Sequence, residues 1–194
     1  CLAQALLPLI QREAGGDEDG VAAAQAAIDG FQERFAKAFR DGLQRKLGLE
    51  DAHDDDPSLF AELLGTMEKA GADFTLTFRR LSELADGEAV GNDASVAEVA
   101  ELPTALDGWV ERWRARCARE EQSAAQRQRT MLAENPALIP RNHLVEEAIV
   151  AGREESDFEP FHRLVDVLAD PYTYSADRAP FARPPRPEQV VTRT

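Results

Sequence analysis

The sequence contains only two cysteines and no long apolar run. Cys1 and Cys117 are too few for a disulfide framework, and neither stands in a CxxC or Cys/His spacing that would hold zinc. No segment approaches the roughly 20 apolar residues that span a bilayer. The apolar opening, CLAQALLPLI, lacks a basic leader and a small-residue cleavage site. We therefore expect a cytoplasmic protein with no membrane contact.

Basic residues are also in short supply. The chain has 36 Asp and Glu against 22 Lys and Arg, a formal net charge of -14. Such a surface repels phosphate backbones and anionic lipid headgroups, so we expect no nucleic-acid partner. A hydrophobic content of 43% over 194 residues nevertheless suffices for a buried core.

The motifs of common enzyme classes are missing. The sequence has no GxxxxGK[ST] phosphate loop, no GxSxG nucleophile motif and no HExxH. Asp51 and Glu62 have the end-to-end spacing of a calcium loop, but His53 stands third and Asp56 stands sixth, where the turn requires glycine. We predict no catalytic, cofactor-binding or metal-ligating residue in this chain. A Ser/His/Asp or Cys/His group that forms only in space stays open.

Apolar residues recur at helical spacing through the first half of the chain. The segment LAQALLPLIQRE is apolar around more than one stripe, which predicts a helix that another surface covers. A second, long helix is predicted between Val21 and Leu47, ending at Gly48. Its apolar residues are Ile28, Phe31, Phe35, Phe39, Leu43 and Leu47. Asp56 and Pro57 then predict the cap and the first position of a third helix, and GADFTLTFRRLSEL predicts a fourth.

The second half, beyond a polar loop near 86–95, is also helical in pattern. Thr104 and Asp107 have the form of a capping box, which predicts a helix running to about Ala133, roughly 45 Å long. Pro160 places the start of a last helix, with Asp157 as its cap. No segment alternates as a strand does. We predict an all-α fold, an irregular multi-helix assembly over residues 1–170, followed by an extended proline-rich tail over 171–194.

Two local patterns allow more than one interpretation. An arginine cluster lies within the predicted long helix, and ion pairs with glutamates 111, 120 and 121 are favoured there over a nucleic-acid face; its members are Arg114, Arg116, Arg119, Arg127 and Arg129. Trp109 and Trp113 are predicted as core anchors. The PPRP spacing of the tail fits either a PxxP ligand or a segment that lies across its own domain.

The stretch NPALIPRNHLVEEAI places three polar residues at the start of a helix. Pro140 prevents an earlier start, so the helix is predicted to begin near Pro140, with Arg141, Asn142 and His143 in its first turn. An arginine gains nothing from the positive end of its own helix dipole, so another group must bind Arg141. That group is either a neighbouring element of this chain or a further domain.

Several separated motifs resemble one known family. NPALIPRNHLVEEAI, FHRLVDVLADPY, DFTLTFRRLSEL and WVERWRARCAREE, together with the opening LAQALLPL, are similar to the C-terminal region of the selenoprotein O family of kinase-like protein adenylyltransferases. The motifs occur in the same order and at similar spacings over nearly the whole chain.

The resemblance implies a longer protein with a kinase-like N-terminal domain. Such a protein binds ATP with Mg or Mn and transfers AMP to Ser, Thr or Tyr hydroxyls of protein substrates. The family's catalytic residues precede Cys1, so none is assigned here. Relatives also end in a short tail with a redox-active cysteine or selenocysteine, whereas this sequence ends in VVTRT.

We accordingly expect this segment to brace the kinase-like domain and to be inactive alone. The expected interdomain contacts are Arg141, Asn142, His143, Leu2 and Leu6. The segment by itself is also expected to be capable of dimerising through its first helix. The alternative from another class is a free-standing helical interaction module that uses the tail as its ligand.

Overall fold

The computed structural model describes residues 2–86 and 95–190, except for the side chain at position 3. The predicted loop near 86–95 thus lies almost entirely outside the described residues. The described residues form helices and turns and contain no strand, as the sequence predicted. The α-helices are α1 (Leu2–Ala14), α2 (Asp17–Lys46), α3 (Asp56–Ala70), α4 (Phe74–Glu83), α5 (Asp107–Cys117), α6 (Ala124–Glu134), α7 (Asn142–Val150), α8 (Glu159–Leu168) and α9 (Ala179–Ala182). The chain divides into two compact units, residues 1–43 and 44–194.

The first unit consists of α1 and most of α2. Gly20, near the start of α2, lies so close to α1 that an added Cβ would stand 2.5 Å from the Cα of Gln11. Absence of a side chain therefore allows the two helices to approach. The predicted apolar face of α2 is present, but Phe31, Phe35 and Phe39 are exposed and their rings stack along the helix, 5.8 and 6.0 Å apart.

The second unit has its main core among α3, α4, α5 and α6. Both tryptophans are fully buried, as predicted. Trp109 Nε1 donates to the carbonyl of Leu59 at 2.8 Å, and Trp113 Nε1 donates to the carbonyl of Leu47 at 3.0 Å. Each indole N–H is thus satisfied by a backbone acceptor, so these large rings are buried without an unpaired donor.

The proline-rich tail lies across its own domain. Tyr174, Ala179 and Ala182 are buried with Leu76 of α4 and Leu138, in a second apolar cluster. The tail contains the short helix α9 and two 3-10 turns, Ala176–Arg178 and Pro187–Gln189. The packed residues precede PPRP, in which Pro185, Arg186 and Pro187 are exposed, so the PxxP interpretation of that motif stays a prediction.

The predicted long helix from Thr104 to Ala133 is wrong. Residues Thr104–Leu106 form a 3-10 turn without a side-chain cap, α5 ends at Cys117, and α6 begins only at Ala124. Ser123 Oγ accepts from Gln126 N at 3.3 Å and caps α6. The break allows Arg127 of α6 to reach back to the carbonyl of Cys117 at 3.0 Å.

Other predicted helix ends differ by one to four residues, the largest difference being the start of α2 at Asp17 instead of Val21. Helix α2 ends at Lys46, two residues before Gly48, whose φ is +66°. Asp56 is the first residue of α3, and its carboxylate accepts from the backbone N–H of His53 at 2.8 Å in the preceding loop. Asp157 Oδ1 accepts from Glu159 N at 2.9 Å, but Phe158 occupies the N-cap position of α8, so Asp157 stands one residue before the predicted cap position.

Candidate interaction surface

Arg141 lies at the N-terminus of α7 and binds another element of the same unit. Its guanidinium forms a two-nitrogen ion pair with Asp73, in which Nη2 lies 3.3 Å from Oδ1. The same Oδ1 accepts from Leu76 N at 2.9 Å, so Asp73 also caps α4. Arg141 is only 6% exposed, and its Nε has no hydrogen-bond partner among the described atoms.

This geometry shows that a neighbouring element of the same chain binds Arg141, which is the first of the two alternatives. The arginine clamps the start of α7 to the start of α4, so its charge is neutralised within the chain. Contact between this corner and a further domain stays a prediction. Such a contact would have to use the backbone or the neighbouring side chains, because little of the Arg141 surface is exposed.

The other two polar residues of the corner differ in exposure. Asn142, the first residue of α7, is exposed. His143 is partly buried, and its Nδ1 has no hydrogen-bond partner among the described atoms. Burial, together with the nearby positive charge of Arg141, lowers the pKa of His143. The imidazole is therefore held in its neutral form more firmly than a free histidine.

The predicted contacts of the first unit are exposed. Leu2 is 74% exposed and Leu6 is 41% exposed on α1. Leu9 and the phenylalanines of α2 add further exposed apolar surface to this unit. These side chains are free to contact another surface. The identity of that surface stays a prediction.

The acidic loop before α3 is fastened by a buried ion network. Arg116 binds Asp56 through Nε at 2.6 Å and Glu120 through Nη1 at 2.9 Å. Arg127 binds the second oxygen of Glu120 at 3.2 Å. Burial alone would raise the pKa of Glu120, but hydrogen bonds from both arginines lower it overall.

The arginine cluster thus forms ion pairs, as predicted, but these mostly connect separate elements. Arg116 and Arg127 join the loop before α3 to α5 and α6. Arg119 pairs with Asp55 at 2.6 Å. Of the pairs predicted within one helix, Arg116 with Glu120 is present at 2.9 Å, although Glu120 lies beyond the end of α5 at Cys117.

Cys117 is not a reactive thiol. It is 6% exposed, and burial raises its pKa to about 11. A thiol with so high a pKa holds little of the nucleophilic thiolate at neutral pH.

In the described part of the chain, no group of three or more His, Cys, Asp or Glu is arranged to hold a metal ion. No helix in that part is long and apolar enough to cross a membrane.

An apolar recess lies between α7 and α8 in the second unit, and the sequence did not reveal it. We name it the α7–α8 groove; it has a volume of about 480 Å³. Its lining is Val145, Ala148, Ile149, Gly152, Arg153, Phe158, Phe161, Leu164, Val165 and Leu168. Four of these large side chains are about half exposed: Ile149 50%, Phe158 57%, Phe161 50% and Val165 49%.

A turn of π-helix shapes one end of this groove. Residues Ala151–Glu155 continue α7 as a π-helical turn, and Ser156 then reverses the chain with a φ of 56°. The ring of Phe158 lies against Gly152, 3.4 Å from where a Cβ would be. The sequence did indicate an exposed apolar surface on α8. Its apolar residues at 161, 164, 165 and 168 form a face wider than a single packed neighbour would bury.

Comparison with known proteins identifies the family. The family model described as "Protein adenylyltransferase SelO" matches residues 1–169. The protein nucleotidyltransferase YdiU of Rhodopseudomonas palustris (strain BisB18) is 47% identical over 194 residues, which are 100% of this chain and 38% of the relative. The proteins of the same name from Bradyrhizobium sp. (strain ORS 278) and Methylorubrum extorquens (strain PA1) are 45% and 47% identical, over 100% and 95% of this chain.

These relatives are much longer than the present sequence. The chain spans 38% of the length of the first two relatives and 37% of the third. The match nevertheless extends over almost the entire chain at close to half identity, and the family model covers all but the proline-rich tail. The chain therefore belongs to the SelO family of protein adenylyltransferases.

Proposed function

We propose that this chain is the C-terminal helical region of a longer protein adenylyltransferase and that it braces a kinase-like catalytic domain without being active alone. The observation that carries the proposal is the length relation: relatives match this chain completely, yet the chain accounts for only 38% of their length. The exposed apolar faces of both units support a bracing role, because such faces are stabilised by a covering surface.

The proposed reaction belongs to the longer protein. It would transfer AMP from ATP to Ser, Thr or Tyr hydroxyls of protein substrates, with Mg or Mn bound alongside the nucleotide. The described residues of this chain offer no metal-binding group, and the buried carboxylates at Asp56 and Glu120 are bound by arginines. We therefore assign neither ATP nor metal to any residue of this chain.

The bracing contacts are proposed at two places. On α1, Leu2 and Leu6 present exposed apolar surface. At the start of α7, Asn142 and His143 flank the clamped Arg141. In the longer protein, Asn142→Ala should weaken the contact without disturbing the Arg141–Asp73 ion pair, since Asn142 is exposed.

The proposal is tested by the intact mass of the protein isolated from its native cells, followed by an assay for AMP transfer. We expect a species far heavier than 21.4 kDa that transfers label from α-labelled ATP to protein, whereas the 21.4-kDa chain alone transfers none. A native species of 21.4 kDa would contradict the proposal and would favour a free-standing interaction module. Label transfer by the chain alone would contradict the proposed inactivity.

A further inference from the structure

The hairpin formed by α7, the π-helical turn and α8 combines an apolar groove with a strongly acidic surface. Between Asn142 and Leu168 the exposed carboxylates are Glu146, Glu147, Glu154, Glu155, Asp157, Glu159 and Asp166. The basic residues of the same span are Arg153 and Arg163. Apart from Arg153, the residues that line the groove are apolar, so the carboxylates lie around the groove and not in its lining.

Little of this negative charge is neutralised within the chain. Among the described residues, the ion pairs of the hairpin are limited to Arg153 with Glu154, at 2.7 Å. The Arg163 guanidinium lies over the ring of Phe181, 5.8 Å from its centroid, rather than beside a carboxylate. The hairpin is therefore prepared to attract a cationic partner.

The shape and size of the groove suit a helix. Its walls are two α-helices, and α8 has 10 residues, which makes the wall roughly 15 Å long. Ile149, Phe158, Phe161 and Val165 are half exposed along it. A helix of about three turns with apolar residues at i, i+3, i+4 and i+7 would cover these side chains, as in other helix-in-groove complexes.

We propose that the α7–α8 groove receives a lysine- and arginine-rich amphipathic helix from the part of the longer protein that lies outside this chain. This inference rests on the proposed function, since it needs that longer protein, and it adds a docking surface and the chemistry of its occupant. The relatives supply the remaining polypeptide, because this chain spans only 38% of their length.

The charge pattern disfavours other occupants. A second copy of this chain would bring another acidic hairpin, and the whole chain carries a net charge of -14, so self-association here would be opposed by like charges. An anionic lipid surface is repelled for the same reason. A basic helix gains both burial of its apolar side and attraction from the exposed carboxylates.

The test is thiol labelling at two matched positions. Val165→Cys places a thiol in the groove at a site that is 49% exposed, and Tyr172→Cys places one outside the groove at a site that is 46% exposed. Each variant is made in this chain and in the longer protein, and labelling by a maleimide is followed by mass spectrometry of the peptide concerned. Near-equal exposure in the chain makes the two rates directly comparable.

We expect the Val165→Cys thiol to react at least about 10-fold more slowly in the longer protein than in the chain, with the Tyr172→Cys thiol unchanged. High salt should raise the Val165→Cys rate in the longer protein, because it screens a basic helix from the carboxylates. Equal Val165→Cys rates in both proteins would overturn the inference. So would protection that high salt leaves unchanged, which would indicate an occupant without basic residues.

Two further outcomes identify a different occupant. Protection in the chain alone that grows with protein concentration would indicate a second copy and overturn the inference. The intact mass decides the proposed function separately. If the longer protein exists and the Val165→Cys rates are equal, only the assignment of the groove fails; if no longer protein exists, both proposals fail.

Discussion

At the scale of single residues, stability depends on a few buried charges that connect distant parts of the chain. Arg116 joins Asp56, at the start of α3, to Glu120, after α5, and its Nη2 also donates to the carbonyl of Asp51 at 2.6 Å. Burial alone would lower the pKa of Arg116, but the two carboxylates raise it overall. The guanidinium is therefore charged at every ordinary pH.

Replacing Arg116 by methionine should destabilise the fold by about 3–5 kcal/mol, because it leaves the buried Asp56 carboxylate without its arginine and leaves Glu120 with Arg127 alone. Urea unfolding of the variant and the parent chain measures the change. Arg112→Met is the matched control on the same helix: its partner Glu62 is exposed, so we expect a loss of about 1 kcal/mol or less. Equal losses for the two variants would show that burial of the network contributes nothing.

Gly48 is required both by its backbone conformation and by its neighbours. Its φ is +66°, and an added Cβ would lie 2.5 Å from Arg127 Cγ and 2.8 Å from Met131 Cγ. Gly48→Ala should therefore cost about 2–4 kcal/mol in unfolding free energy, from the left-handed conformation together with overpacking. Chemical denaturation provides the measurement.

Two other glycines separate these causes. Gly71 has a φ of +61° with no atom near its missing Cβ, so Gly71→Ala should cost only about 1–2 kcal/mol. Gly65 lies within α3 with open space around it, and Gly65→Ala should stabilise by up to about 1 kcal/mol. If Gly48→Ala cost no more than Gly71→Ala, the close contacts with α6 would be refuted.

His143 should make stability depend on pH. Its pKa is lowered in the folded chain by burial and by Arg141, so the unfolded chain binds the proton more readily. The contribution of His143 to folding stability is fully present above the pKa of the unfolded state, about 6.5. This contribution is lost as the pH falls through that value toward the lower pKa of the folded state. The stability advantage of the parent chain over His143→Gln should thus shrink from about pH 7.5 to about pH 5.5.

Thermal unfolding of both proteins across this pH range measures the effect. His162→Gln removes an exposed histidine from α8 and is the matched control. Parallel curves for the parent chain and His143→Gln would mean that the folded environment does not disfavour protonation of His143.

At the scale of helices, periodicity and caps predicted most elements but not the break between α5 and α6. The segment from Ala118 to Glu121 consists of residues that suit a helix, so local propensity favours continuation. Contacts distant in sequence override it, since Arg127 binds the carbonyl of Gly48 at 3.0 Å as well as that of Cys117. No local pattern contains such information.

The Ser123 cap was nevertheless visible in the sequence and is energetically testable. Ser123→Ala removes the acceptor for Gln126 N and should cost about 0.5–2 kcal/mol. Thr130→Ala, later in α6, is the control, and we expect it to be neutral or slightly stabilising because alanine is the better helix former. Denaturant unfolding distinguishes the two, and a neutral Ser123→Ala would argue against a capped start at Ala124.

At the scale of the whole molecule, composition and helical pattern sufficed for the all-α class, and the quoted motifs sufficed for the family. The candidate surface was less predictable. Arg141 was singled out correctly as a residue that needs a partner, but its partner, Asp73, is 68 residues away in sequence. The α7–α8 groove was missed because a stripe of apolar residues does not reveal which of them a neighbouring helix leaves uncovered.

The exposed apolar residues of both units have a common explanation in the proposed longer protein. The chain exposes Phe31, Phe35, Phe161 and Val165 to solvent. Such side chains are stabilised when a partner surface removes them from water. The proposed bracing role requires more than stabilisation of this chain by the rest of the protein. It also requires that the rest of the protein be stabilised by this chain.

The most direct measurement is AMP transfer from α-labelled ATP by the longer protein with and without this segment, with the purified chain then added back. The account predicts that removal of the segment abolishes or greatly reduces transfer, that the chain alone transfers nothing, and that adding the chain restores part of the activity. Full activity of the shortened protein would contradict the bracing role.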